Sequence, residues 1–251
     1  MQSRNSHHYF EKASMYGMLA DYYKYSNPTL HVYYYKKHVN NLQKAIESER
    51  SHLNPVPNEA PARVRILHAA PDAPNVDIYI NGTRILKDFP YKKVTDYLPL
   101  PQGKYQIDVY PAGQPISTII SRKVEVKNGH MYTLAVAGKG KNVKLLTYED
   151  QPNVPSGEAK IRLTHLSPDA EPIDVAVKHG DVVFPNVSYR KTSNYLGVTP
   201  MNVDLEARLA GSDAVALSIP NVDMKPNQAY SIYLVGSADG SPPLEVLLLT
   251  P

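Results

Sequence analysis

The chain contains one stretch of sequence twice. Residues 63–82 read RVRILHAAPDAPNVDIYING, and residues 160–180 read KIRLTHLSPDAEPIDVAVKHG. His165 follows His68 by 97 positions, and Asp169 follows Asp72 by the same interval. A repeat of this length is too long for a solenoid unit and suits a duplicated small domain. We therefore expect two copies of one fold, in which any residue that the fold requires occurs in both copies.

Both copies consist of short apolar runs separated by turn residues. In repeat one, Val76, Ile78 and Ile80 alternate with polar positions and end at an Asn81-Gly82 turn, which is the pattern of a strand and hairpin. Further runs lie at 64–68, 105–110, 131–136 and 143–147, with counterparts at 161–164, 173–177, 203–207, 214–219, 230–235 and 244–249. This spacing predicts a mainly β fold of two tandem immunoglobulin-like, Greek-key β-sandwiches.

The N-terminal segment has a different composition and a helical periodicity. Residues 1–52 hold eight of the 19 Tyr and five of the nine His. Asn27 and Pro28 form an N-cap followed by a first helical position, which predicts two helices joined by a tight turn. An apolar stripe recurs at steps of three and four in the second helix: Val32, Tyr35, Val39, Leu42 and Ile46. We expect this stripe to pack on the partner helix or on the first repeat, with self-association as the alternative.

These patterns divide the chain into five parts. The predicted order is a Tyr/His-rich helical hairpin at 1–53, a Pro-rich linker at 54–61, repeat one at 62–150, a second linker at 151–157 and repeat two at 158–251. Proline-rich linkers are extended and stiff, so both linkers are expected to mark domain boundaries.

Composition excludes several classes of protein. The chain has no Cys, which removes disulfides, thiolate nucleophiles and Cys-based metal sites. The net charge of +3 lies entirely in residues 1–52, which carry seven Lys/Arg and four Asp/Glu; this excess is too small to indicate nucleic-acid binding. No apolar run is long enough to span a membrane. The N-terminus lacks the apolar core of a signal peptide, so we expect synthesis in the cytoplasm.

The repeated H-x-x-P-D-A motif is the best candidate for a site. Its polar residues are His68, Asp72 and Asp77, matched by His165, Asp169 and Asp174. Histidine with carboxylates is a possible ligand set, but the spacing is not diagnostic of any metal. We expect these residues to pin the first inter-strand loop by hydrogen bonds, with Asp72 in an Asx-turn.

No set of residues in the sequence matches a known catalytic motif. Ser167 stands near His165 and Asp169, but repeat one has Ala70 at that position and the chain has no G-x-S-x-G elbow. We therefore expect no catalytic residue, no metal and no cofactor. A metal-dependent enzyme built on the His/Asp motif stays open as a second alternative.

The N-terminal segment holds the candidate interaction residues. Besides the apolar stripe, a group of tyrosines is suited to contacts with a partner: Tyr22, Tyr23, Tyr25, Tyr33 and Tyr34. We expect residues 1–52 to bind a protein partner or a second copy of the chain.

The motifs of the first repeat also carry a family resemblance. HAAPDAPNVDIYINGTRI and the stretch from Leu100 to Gly113 resemble the bacterial and archaeal domain-of-unknown-function family 4397, over about residues 62–251. The resemblance implies tandem immunoglobulin-like sandwiches in secreted or envelope-associated proteins, with no assigned activity. Residues 1–52 lie outside it and are similar in composition to proteins of Gram-positive spore coats, which are made without signal peptides.

Together these features predict a non-enzymatic structural or interaction protein of a bacterial spore or cell-surface layer. The first alternative is a binding module for carbohydrate or another small ligand. The absence of Trp and the presence of only three Phe weaken it, because sugar-binding platforms rely on exposed aromatic rings.

Overall fold

The structure, a computed structural model, describes residues 3–52 and 60–251, with side chains described for 7–48 and 60–251. Most of the predicted 54–61 linker therefore lies outside the described residues. The helices and the remainder of the chain form two separate compact units, residues 1–59 and 60–251. The fold class predicted from the sequence is confirmed: a helical hairpin is followed by two β-sandwiches.

The hairpin consists of α1 (Ser3–Tyr23) and α2 (Pro28–His52). The Asn27 side-chain Oδ1 accepts a hydrogen bond from the Leu30 N–H at 3.1 Å, which caps α2 as predicted. Among the described helices, none is long and apolar enough to cross a membrane.

The two helices meet through small residues and histidines. Ala13, Ala20 and Ala45 are fully buried in the hairpin. His38 Nδ1–H donates to the Ala13 carbonyl at 2.7 Å, and His31 Nδ1–H donates to the Ala20 carbonyl at 2.8 Å. Small side chains let the helix backbones approach closely enough for these bonds to form.

The predicted α2 stripe takes only a partial share in closing the hairpin, since Val39 and Leu42 are half-buried while its other residues are exposed. Of the α2 stripe, Val32 is 49% exposed, Tyr35 55% and Ile46 42%. Val32, Val39 and Ile46 each follow His31, His38 and Ala45 by one residue, or about 100° around the helix, whereas Tyr35 and Leu42 lie closer to the face of those three residues. Apolar periodicity identified the helix correctly, and the face on which α1 packs is centred on His31, His38 and Ala45.

Sixteen strands follow within residues 60–251. In repeat one they are β1 (Ala62–Ala69), β2 (Val76–Ile80), β3 (Thr83–Phe89), β4 (Leu98–Leu100), β5 (Gly103–Pro111), β6 (Ile120–Val126), β7 (Met131–Ala137) and β8 (Lys144–Asp150). In repeat two they are β9 (Ala159–His165), β10 (Ile173–Val177), β11 (Val182–Val187), β12 (Leu196–Val198), β13 (Met201–Leu209), β14 (Val215–Met224), β15 (Gln228–Val235) and β16 (Glu245–Leu249). The sequence patterns missed β3, β4 and β6 and the repeat-two strands β11 and β12, because these strands carry little alternation.

The two repeats have the same topology. Repeat one pairs a sheet ordered β4-β1-β7-β8 with a sheet ordered β3-β2-β5-β6, and repeat two pairs β12-β9-β15-β16 with β11-β10-β13-β14. In each repeat the first strand runs parallel to the seventh, as β1 with β7 and β9 with β15. A separate apolar core fills each sandwich, one drawn from residues 62–145 and the other from 159–234.

A third apolar cluster joins the sandwiches. It combines Leu67, Ala69, Ala135, Ala137 and Tyr148 of repeat one with Leu166, Tyr233 and Val235 of repeat two. These residues lie on or beside the β4-β1-β7-β8 and β12-β9-β15-β16 sheets, so each of these sheets packs on its own core with one face and on the other repeat with the opposite face. This explains why seven of the eight residues of β1 are buried, all except Arg63.

Candidate functional site

The two histidines of the repeated motif lie at the ends of β1 and β9 and are fully buried. His68 Nε2–H donates to the Pro74 carbonyl at 3.1 Å, and His165 Nε2–H donates to the Glu171 carbonyl at 3.2 Å. Each bond ties the strand end to the loop that follows it. Burial lowers the pKa of both imidazoles, although the bond to the loop carbonyl opposes the shift.

The first aspartate of the motif reaches a loop distant in sequence. Asp72 Oδ2 accepts a hydrogen bond from the Gly140 N–H at 2.8 Å, across 68 positions of the chain. Its counterpart Asp169 accepts one from the Ala238 N–H at 2.9 Å and others from Ser237 and Lys139. The sequence predicted a local Asx-turn for Asp72, whereas its bond to Gly140 joins the β1–β2 loop to the β7–β8 loop.

Hydrogen bonding also sets the acidity of Asp169. Burial of this carboxyl would raise its pKa, but the Ser237 hydroxyl, the Ala238 N–H and the Lys139 ammonium together lower the pKa to about 2. The group is therefore an anion at neutral pH with its lone pairs engaged by the protein.

The second aspartate holds a bulge. Asp77, which is 2% exposed, accepts the Asp88 N–H at 2.8 Å and the Gly113 N–H at 3.3 Å. Asp88 has a positive φ of 52°, where β3 departs from regular pairing with β2. The bond from the Asp88 N–H is the main cause that lowers the pKa of Asp77.

Repeat two reproduces this arrangement. Asp174 accepts the Asn186 N–H at 2.6 Å and the Gly211 N–H at 2.9 Å, and Asn186 has a φ of 49°. Each aspartate thus compensates backbone donors that a bulge and a turn leave without strand partners.

The structure does not bring His68, Asp72 and Asp77 together around a common point, since each bonds to a different part of the backbone. Within the described residues, no three His, Asp or Glu side chains gather closely enough to hold a metal ion. Ser167 Oγ–H donates to Asp169 at 3.4 Å, while His165 Nε2 is bonded to Glu171. The geometry supports a role in positioning loops for the motif.

The predicted interaction residues all lie on the hairpin. Tyr22, Tyr25 and Tyr33 are 75%, 89% and 52% exposed. Tyr34 instead lies between the helices, stacked with Tyr16 at 6.3 Å and with Tyr23 at 5.7 Å between ring centroids. The tyrosines therefore divide into a set that closes the hairpin and a set that faces outward.

Sequence reasoning missed a buried charged cluster between the sandwiches. Asp150 pairs with Arg162 and lies 3.9 Å from Arg65, and the three side chains are almost fully buried. Tyr97 O–H donates to Asp150 at 2.7 Å, and burial together with this carboxylate raises the pKa of Tyr97. Arg65 and Arg162 occupy matching positions in the two repeats, and this match in the sequence could have indicated a shared structural role.

The comparisons with known proteins agree with the duplication. The profile of the family described as Domain of unknown function (DUF4397) matches residues 62–176 and again 167–250. The chain belongs to this family. No curated protein matches the chain at a significant level.

Solved structures show only distant likeness to this DUF4397 chain. The C-terminal domain of AlgF from P. aeruginosa is 16% identical with a TM-score of 0.30, covering 38% of this chain and 99% of that one. The Bacillus anthracis TIE protein is 12% identical with a TM-score of 0.25, covering 71% and 34%. The fimbrial anchor protein Mfa2 from Porphyromonas gingivalis is 9% identical with a TM-score of 0.20, covering 75% and 97%.

Proposed function

We propose that this chain is a non-enzymatic structural protein that assembles through its N-terminal hairpin, as a component of a bacterial spore or cell-surface layer. The observation that carries the proposal is the exposed part of the α2 stripe. Val32, Tyr35 and Ile46 are each more than two-fifths exposed, while the hairpin is closed by other residues.

The spacing of the stripe favours a second hairpin as its partner. Steps of three and four residues from Val32 to Ile46 are those of a helix that packs lengthwise on another helix. A two-helix hairpin buries one face of each helix, and short helices gain most of their stability from such packing. Two hairpins that pair through their stripes would form a four-helix bundle.

The engagement of the His/Asp motif supports the non-enzymatic part of the proposal. A general base or nucleophile must present a free lone pair or proton to a substrate. Asp77 and Asp174 instead accept two backbone N–H groups each, and His68 is fully buried. These residues serve the fold of both repeats in the same way.

A carbohydrate-binding module is less favoured. Repeat two has an open cleft of about 370 Å³ with Tyr195 on its wall. However, Lys160 Nζ and Arg162 Cζ each lie 4.6 Å from the centroid of the Tyr195 ring. The ring is therefore in contact with two cations and is not free to stack on a sugar.

Light scattering of the full chain and of residues 60–251 tests the assembly role. We expect the full chain to form dimers or larger species and residues 60–251 to be monomeric. The double variant Val32→Asp/Ile46→Asp should reduce the full chain to a monomer, because it places charges in the apolar seam. The matched control, Asn40→Asp/Gln43→Asp, adds the same charge at exposed positions outside the stripe and should leave assembly unchanged. A full chain that is monomeric over the same concentrations contradicts the proposal.

A tagged copy followed by cell fractionation tests the location. We expect the protein in an outer layer of the spore or cell, and residues 60–251 alone to be lost from it. Recovery of both forms in the cytoplasmic fraction would rule out the layer.

A further inference from the structure

The contacts between the two sandwiches are repeated about an approximate two-fold axis. Arg65 Nη1–H donates to the Thr250 carbonyl at 2.6 Å, and Arg162 Nη1–H donates to the Glu149 carbonyl at 2.7 Å. Arg65 Nε–H donates to Thr133 at 2.8 Å, and Arg162 Nε–H donates to Ser231 at 2.9 Å, where Ser231 is the repeat-two counterpart of Thr133. Each repeat therefore presents the same kind of face to the other.

The two faces are nevertheless not interchangeable, and their charges show why. Among the residues that the structure describes, Asp150 is the only carboxylate that pairs with Arg65 or Arg162 in the buried cluster. Asp150, on β8, pairs with Met131 of β7. If the register of β15 with β16 is continued by two residues beyond Ser231 and Leu249, Pro251 takes the equivalent place opposite Ala229. A pair of two repeat-two faces would bury two arginines with no carboxylate, which is strongly unfavourable.

Charged residues at the edge of the contact between the sandwiches oppose a pair of two repeat-one faces. Lys92 Nζ lies 3.0 Å from Glu245 of repeat two. Glu245 pairs with Val235 on its sheet, and the equivalent partner of Ala137 in repeat one is Lys144. A pair of two repeat-one faces would therefore set Lys92 of one copy against Lys144 of the other.

Side-chain volume acts in the same direction. Tyr233 and Leu166 are fully buried in the cluster between the sandwiches, whereas their repeat-one counterparts are Ala135 and Ala69. A repeat-one pair would lose both large side chains and leave a cavity at the centre of the contact. Charge and shape together match repeat one to repeat two and discriminate against either self-pair.

We propose that the face of repeat one is a specific docking surface for repeat two that does not require the covalent linker, so that it also binds repeat two of a second copy of this chain. The contacts named above involve side chains and carbonyls outside residues 151–157, and each sandwich has its own core. A chain whose repeats part can thus pair with another chain through the same contacts. This inference concerns residues 60–251 and is independent of the hairpin.

Cleavage of the linker in the otherwise intact protein tests the proposal. A specific protease site is inserted between Pro155 and Ser156, and the cleaved protein is analysed by size-exclusion chromatography at decreasing concentration. We expect the two halves to co-elute, and to re-form the same species after separation and mixing. Halves that separate on cleavage under native conditions overturn the proposal. Co-elution is read from the presence of both halves in one peak, so hairpin self-association does not affect the result.

Two sets of variants test the basis of recognition. Asp150→Asn should weaken the pairing of the halves by roughly 100-fold or more, because it leaves two buried arginines without a counter-ion. Asp96→Asn, at an exposed position of the same repeat, is the matched control and should have no effect.

Lys92→Glu should weaken pairing, and Glu245→Lys in the other half should restore it. These two residues are partly exposed, so the exchange tests recognition without disturbing either core. A repeat-one half that binds itself as tightly as it binds repeat two would contradict the specificity.

Discussion

At the scale of single residues, the polar side chains that occur in both repeats hold loops and bulges in place by hydrogen bonds. Asp77 and Asp174 each bind a bulge and a turn, and Asp72 and Asp169 each bind the loop after the seventh strand. The sequence alone showed that these residues matter to both copies. It did not show their partners, because the bonded N–H groups lie 11 to 69 positions away along the chain.

The first prediction compares the two aspartates of repeat one. Asp77→Ala should lower the free energy of unfolding by about 2–3 kcal/mol, because it removes a buried charged acceptor that serves two backbone N–H groups. Asp72→Ala should cost less, about 1 kcal/mol, because its bond to Gly140 is exposed to solvent. Denaturant melts of residues 60–251 measure both, with Asp96→Ala as the exposed control. Equal costs for the two variants would show that burial of the acceptor is not what matters.

The second prediction concerns pH. The pKa of His68 and of His165 is lowered below the ordinary value of 6.5 by burial, so below that pH the unfolded chain binds more protons than the folded one. Stability should therefore be unaffected by these groups above pH 6.5 and fall as the pH drops below it. Thermal melts at about pH 7.5 and about pH 5.5, on either side of the ordinary histidine pKa, should show a smaller difference in His68→Gln/His165→Gln than in the parent. The exposed His130→Gln serves as control; an unchanged pH dependence in the double variant would contradict the account.

At the scale of elements, the sequence of the hairpin predicts its two helices and its turn but not the face through which the helices pack. The turn was predictable because the Asn27 cap and Pro28 act within three residues of one another. The contact face was not, because α1 approaches through alanines, histidines and the stacked rings of Tyr16, Tyr23 and Tyr34 rather than through the exposed residues of the stripe. Two helices approach closely where their side chains are small, and hydrophobic periodicity carries no information on side-chain size.

The third prediction tests this contact. Ala13→Leu should destabilise the hairpin, because Ala13 is 2% exposed and its carbonyl must remain within reach of His38. Ser14→Leu places the same side chain at the exposed neighbouring position and should have little effect. The helical signal in far-UV circular dichroism reports the hairpin, since the described helices of more than one turn are α1 and α2. Equal loss of the signal in both variants would argue against a close-packed contact at Ala13.

At the scale of the whole molecule, the two sandwiches form a single compact unit through their inner sheets. The Arg65–Asp150–Arg162 cluster is central to this contact because its charges are removed from water and depend on one another. A buried ion pair adds little net stability over apolar packing, but removing one partner leaves an uncompensated charge.

The fourth prediction follows from that asymmetry. Asp150→Asn should lower the free energy of unfolding of residues 60–251 by about 3–5 kcal/mol. The parent should unfold in one transition seen alike by fluorescence and circular dichroism, and the variant should separate into two transitions as the sandwiches lose their coupling. A variant that still unfolds in one transition with an unchanged midpoint would show that the cluster does not couple the repeats.

The sequence by itself determined the duplication, the β character of both repeats, the helical hairpin and the position of its turn. Each of these follows from periodicity or capping among residues a few positions apart, or from direct comparison of the two copies. Tertiary structure alone decided that Arg65 and Leu67 are buried on the second face of β1, that Asp150 serves two arginines, and that Val32, Tyr35 and Ile46 stay exposed within the hairpin. The physical reason is that burial depends on which surfaces meet, and these surfaces are assembled from strands and helices that lie far apart along the chain.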